Sequence, residues 1–151
     1  MKKLITALCL AGCLALAFPA SAAVRTVGPD FPKFTIDVPD GWTVTPRDDG
    51  CQLESPDRKS SFTVQTMKSG GKSAAEMAMA VEQGLLKQNP GNKVLAAKEI
   101  SPNKTVMECE FDKVKMTVVV VVEGDKCCVV AAAGSDADGI ASILKTVKYV
   151  Q

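Results

Sequence analysis

The residues best equipped for chemistry are cysteines. Four of the six follow residue 22: Cys51, Cys109, Cys127 and Cys128. A thiolate is a nucleophile and a soft-metal ligand, so the adjacent pair Cys127 and Cys128 is a candidate soft-metal or thiol-ligand site. The chain contains no Cys-x-x-Cys and no histidine. That removes thioredoxin-like exchange, haem attachment, imidazole base catalysis and the commonest zinc sites. Ser135 is then a nucleophile without a base, and its position suits a helix cap. Asp48, Asp49, Glu108 and Glu110 fall in turns or on a strand, where no apolar pocket is implied to raise a carboxyl pKa. Asp136-Ala137-Asp138-Gly139 has the start of a calcium loop but lacks its later ligands and bidentate glutamate. Met77 and Met79 could offer thioethers to copper, although methionine at helical spacing is ordinary core filler. These patterns point away from catalysis and imply no cofactor.

The N-terminus sets the compartment. Lys2 and Lys3 precede an apolar run over residues 4–18, followed by Pro19-Ala20-Ser21-Ala22. This is a signal-peptide pattern, too short for a membrane span, and cleavage after Ala22 is expected. Leu10-Ala11-Gly12-Cys13 offers an alternative, a lipobox that would make Cys13 a lipid-anchored first residue. Against it, an apolar tract rather than a polar tether follows. Loss of Lys2 and Lys3 takes the 18 basic residues to 16 against 17 acidic ones. No basic patch steers the chain to nucleic acid or anionic lipid. An exported, periplasmic protein follows, with residues 23–33 as a lead-in and residues 34–151 as one α+β domain.

The domain is organised around Met116–Val122, Met-Thr and then five valines. β-Branched residues fit a pleated strand, and a run apolar on both faces belongs inside a sheet covered on both sides. Val119 and Val121 are therefore expected to be as buried as Val118 and Val120. Upstream, Phe34–Val38 alternates as a strand. Pro39-Asp40-Gly41 makes a tight turn, and Trp42–Thr45 is expected as the partner strand. Further strands are expected at 51–55, 61–67, 93–100 and 104–111. A first helix begins at Ser73 with a capping box to Glu76 and a stripe of Ala74, Met77, Ala78, Val81 and Leu85. A second begins at Ser135 with Asp138 at the matching position, and Ile140, Ile143, Leu144 and Val147 form its stripe.

Turn chemistry fixes the register of the meander. A two-residue loop at Asp112-Lys113 sets Glu110 opposite Lys115 and Cys109 opposite Met116. One at Gly124-Asp125 sets Glu123 opposite Lys126, Val122 opposite Cys127 and Val121 opposite Cys128. One face is then apolar throughout. The other passes from Val119, Val121, Cys128 and Val130 to Glu108, Glu110, Lys115 and Thr117, so it is covered only in part. Those four residues form a candidate interaction edge beside a hydrophobic border. In this register Cys127 and Cys128 face opposite ways. Cys109 and Cys127 are separated by six residues along the shared strand, roughly 20 Å, too far for a disulfide. Cys51 remains the candidate partner for one of Cys109, Cys127 and Cys128.

Phe34-Thr35-Ile36-Asp37-Val38-Pro39-Asp40-Gly41-Trp42 resembles the opening of PsbP/DcrB/Mog-like domains, which begin with an alternating strand and Pro-x-Gly-Trp. The later order, through Ile143-Leu144-Lys145, is similar too. The resemblance implies an antiparallel sheet, here of about six to eight strands, sandwiched by two main helices. It carries no shared reaction, since members include a photosystem accessory subunit, a bacterial envelope protein and a Ran-binding protein. The resulting reading is an exported, non-catalytic module that binds an envelope protein. The alternative is a small-ligand or soft-metal binder using Cys127 and Cys128, with an enzyme as the third class.

Overall fold

The valine run lies where its burial demands. In the computed structural model, which describes residues 23–27 and 33–149, Val114–Glu123 is an interior strand of a seven-stranded antiparallel sheet. In chain order the strands are β1 (Ala23–Val27), β2 (Phe34–Val38), β3 (Thr43–Arg47), β4 (Gly50–Glu54), β5 (Ser60–Lys68), β6 (Lys93–Ser101), β7 (Lys104–Phe111), β8 (Val114–Glu123), β9 (Lys126–Gly134) and β10 (Lys148–Tyr149). Helix α1 (Ala74–Gln88) follows β5, and α2 (Ala137–Thr146) follows β9. The large sheet runs β3-β4-β5-β9-β8-β7-β6, and β1-β2-β10 form a second, three-stranded sheet. The expected signal peptide at residues 1–22 and the alternative lipid-anchor residue Cys13 lie outside the described residues.

Both hairpins of the meander have the expected register. Glu110 pairs with Lys115 and Cys109 with Met116; Val122 pairs with Cys127 and Val121 with Cys128. The first face buries Met107, Cys109, Val118, Val120, Val122, Cys127 and Val129 beneath Ala74, Met77 and Ala78 of α1. Helix α1 starts as its sequence dictates. The Ser73 hydroxyl accepts the Glu76 N–H at 3.3 Å while the Glu76 carboxylate accepts the Ser73 N–H at 2.8 Å. Met77 is buried and Met79 exposed, so the two thioethers do not share a face.

Gly84 sits in the interior of α1, and a Cβ there would meet nothing within 4 Å. Glycine costs about 1 kcal/mol against alanine in a helix interior. Gly84→Ala should therefore stabilise the protein by about that amount, read as a higher urea midpoint at unchanged slope.

The second face departs from the expected pair of sandwiching helices. It is covered over β4, β5 and β9 by β2, whose Phe34, Ile36 and Val38 join Leu53, Phe62, Val64 and Val130 in one core, with Ile143 of α2 beside them. A small sheet and a ten-residue helix thus take the place of a second long helix. Strand β2 does not pair back with β3 either. Gly41, at φ +79°, and the Trp42 N–H donating to the Pro39 carbonyl at 3.2 Å make the turn. The turn carries the chain from one sheet to the other. The lead-in is structured where it is described: Ala23–Val27 pairs along its whole length with β2. Helix α2 begins after Ser135, its first turn closed by Ile140 N–H to the Asp136 carbonyl at 3.0 Å. Ser135 therefore stands outside the helix rather than at the expected cap.

Candidate functional site

Cross-strand rows on the second face build a site from the register alone. Lys104 lies opposite Val121, which lies opposite Cys128. The next row is Val106, Val119 and Val130, and the next is Glu108, Thr117 and Ala132. β2 and α2 cover the β9 side of these rows and stop short of β7. The uncovered part is an open groove of about 720 Å³, floored by Val106, Val119, Val121 and Val130 and walled by Leu144, Val147 and Tyr149. Val119 is 6 % exposed, but Val121 is only half-buried because it faces the groove. The expectation that both valines would match Val118 and Val120 thus fails at Val121.

Two anchors hold the wall in place. The Asp37 N–H donates to the Thr146 hydroxyl at 3.0 Å, which itself donates to the Ile143 carbonyl at 2.9 Å, tying the end of α2 to β2. Tyr149 pairs with Phe34 in the small sheet, and its hydroxyl donates to the Val121 carbonyl at 3.3 Å. Burial pushes the Tyr149 phenol well above its usual range, so it remains a donor at any physiological pH. Lys126 stands over its ring, with Nζ 5.5 Å from the centroid.

The rim is charged. Lys104, Lys145, Lys148 and Glu123 line it, and all four are exposed. The candidate edge Glu108, Glu110, Lys115 and Thr117 is on the same face. There the Thr117 hydroxyl donates to the Glu108 carboxylate at 3.2 and 3.3 Å, and Glu110 lies across from Lys115. A smaller hollow of about 280 Å³, lined by Glu108, Lys115, Ala132 and Ile140, shares Thr117 and Leu144 with the groove. The edge is thus one end of a longer depression. Lys104 could have been found from sequence, because alternation along β7 places it on the face of Val106 and Glu108. Lys145, Lys148 and Tyr149 reach the site only through tertiary packing.

Cys128 lies at the back of the groove, and the other three cysteines of the described residues are elsewhere. All four are free and buried. Cys127 belongs to the core under α1 and Cys128 to the core under β2. On opposite faces they cannot grip one ion, which removes the paired soft-metal site. Among the described residues no cluster of three or more His, Cys, Asp or Glu could hold a metal. The expected Cys51 disulfide is not formed. Cys51 shares a face with Cys128 but β5 runs between them. Two strand spacings, roughly 9.5 Å, exceed the reach of a disulfide. Cys109 and Cys127 are on the far face. Burial raises the thiols of Cys51 and Cys127 to about 11 and that of Cys128 to about 12. They are inert core groups rather than nucleophiles.

With the geometry in place, comparison with known proteins decides the fold. The structure superposes on the solution structure of cyanobacterial PsbP (CyanoP) from Synechocystis sp. PCC 6803, with a TM-score of 0.63 over 93 % of this chain and 99 % of that one. The fold is PsbP-like. The two sequences are only 10 % identical, so the likeness speaks for the fold alone. No protein-family profile matches the chain, and no curated protein matches it in sequence. Among the described residues no helix is long and apolar enough to cross a membrane.

Proposed function

We propose that this protein is an exported, non-catalytic binding module that holds a small ligand with an apolar body in the groove over β7 and β8. The observation that carries the reading is the groove itself. At about 720 Å³ it falls within the range of small-molecule sites, about 300–1,000 Å³. Its floor is aliphatic and its few polar groups sit at the rim, the usual division between affinity and orientation. Docking of an envelope protein along Glu108, Lys115 and Thr117 is a second reading, favoured by the continuity of that edge with the groove. Export rests on the signal pattern. Pairing in the small sheet starts at Ala23, opposite Val38, so cleavage after Ala22 leaves every described strand intact.

Nile red, an uncharged dye that brightens on leaving water, tests the groove without prejudging a head group. It should bind saturably at one site. Val121→Asp should abolish the signal, while Lys87→Glu on the exposed side of α1 leaves it unchanged. Non-saturable uptake, or equal binding by the Val121→Asp variant, would sink the groove as a site.

A further inference from the structure

The chemistry of the rim and the backbone of the floor narrow the ligand class, on the assumption that the groove is a ligand site. We propose that the groove takes a single-chain amphiphile whose anionic head group is held by Lys104 and Lys148, with Lys145 beside them, while its tail lies along Val106, Val119 and Val121.

Charge makes the first argument. Three ammonium groups and one carboxylate line the rim, an excess of positive charge at the mouth of an apolar trough. Neither Lys104, Lys145 nor Lys148 has a side-chain partner among the described residues, so a bound anion would displace only water from them. Lys145 lies in the last turn of α2, where the exposed helix carbonyls already favour its charge. Lys104 and Lys148 are without that competition and carry the larger share. Lys148 is held in position by its place opposite Thr35 in the small sheet.

The second argument separates an acyl chain from a peptide. The floor is made by interior strands, β8 and β7, whose backbone groups are already paired on both sides with β9, β8 and β6. A peptide laid across them would find no backbone partners, and each amide it buried unpaired would cost free energy. Recognition by strand addition needs a free sheet edge, which this floor does not present. A hydrocarbon chain needs no partners. The trough also has length for one: from Val121, opposite Lys104, to Thr117 is four residues of extended strand, roughly 13 Å, and both ends line the groove.

Dodecanoate, dodecyl phosphate, 1-dodecanol and acetate, each below any micellar concentration, form a direct test by isothermal titration calorimetry on the mature protein. One or both of the anionic chains should bind one to one, at least about tenfold tighter than dodecanol. The tighter of the two identifies the head as carboxylate or phosphate. Acetate should not bind measurably, because it has a head without a tail. In the Lys104→Gln/Lys148→Gln double variant, whose changes lie on the exposed rim and spare the core, the preference for the anion over dodecanol should vanish. Wild-type affinity in that variant, or equal binding of dodecanol and dodecanoate, overturns the proposal. If no chain binds while Nile red still does, the amphiphile is wrong and the groove survives. If Nile red fails as well, the groove itself is wrong.

Discussion

Val118→Asp and Val119→Asp should each unfold the protein, whereas Val121→Asp should leave it folded with an empty groove. The three positions are near neighbours on one strand, and only their surroundings differ. Val118 is 2 % exposed beneath α1, and Val119 is 6 % exposed at the back of the groove, packed into the core shared with β2 and α2. A carboxylate at either place has no cationic partner in its core, and an uncompensated buried charge costs about 3–5 kcal/mol. The lost aliphatic contact adds about 1.5–3 kcal/mol. Together these approach the whole stability of an ordinary domain, about 5–15 kcal/mol. Val121 lines the open groove within reach of solvent, so its carboxylate can stay hydrated and the cost should fall to about 1 kcal/mol. Urea unfolding followed through Trp42 fluorescence measures all three. Loss of under about 1 kcal/mol in Val119→Asp would show that β2 and α2 do not seal the second face at that position.

The contrast between Val119 and Val121 also marks where sequence stops being legible. The meander could be read because its information is local. Two-residue turns at Asp112-Lys113 and Gly124-Asp125, each beside an opposite-charge pair, set the register of β7, β8 and β9, and period two then sorted every side chain. Helix α1 was equally local, with a capping box and a stripe within 15 residues. The small sheet was not. Strand β10 has two residues and pairs with β2 across more than a hundred positions. β1 shows no clean alternation in its sequence, Ala-Val-Arg-Thr-Val. The turn at Pro39-Asp40-Gly41 looks the same whether the chain pairs back or crosses to another sheet. Phe34, Ile36 and Val38 present one apolar face in either case. A second face covered in part was therefore foreseeable from Thr117, Glu108 and Lys115. What covered it, and hence where the groove would open, depended on contacts no local rule records.

Alkali should unfold this protein well before it unfolds one without buried thiols. Cys51, Cys127 and Cys128 are at most 1 % exposed, and desolvation holds their thiols protonated to about 11, 11 and 12. The Cys109 thiol is raised too, by burial first and then by Glu108 and Glu82. In the unfolded chain the same groups ionise near 9. Each folded-state value lies above its unfolded one, so the native state retains protons that the unfolded state gives up. The stabilising contribution is complete below pH 9 and is lost as pH rises through the folded values. A single such group lowers stability by about 1.4 kcal/mol per pH unit across that window. Three acting together, with Tyr149 adding to them above its own unfolded value of 10, would remove about 4 kcal/mol by pH 10 and about 10 kcal/mol by pH 11, against a whole stability of about 5–15 kcal/mol. A cooperative loss of near-ultraviolet circular dichroism between about pH 10 and 11, in the presence of a phosphine reductant, is the expected result. Lysines discharge in the same range, so the assignment needs a control. Cys127→Ala/Cys128→Ala should start less stable at pH 8, because it opens space in both cores. Its stability should then decline between pH 9 and 11 about half as steeply as that of the parent. Parallel decline in the two proteins would assign the alkaline transition to the lysines and exclude the buried thiols as its cause.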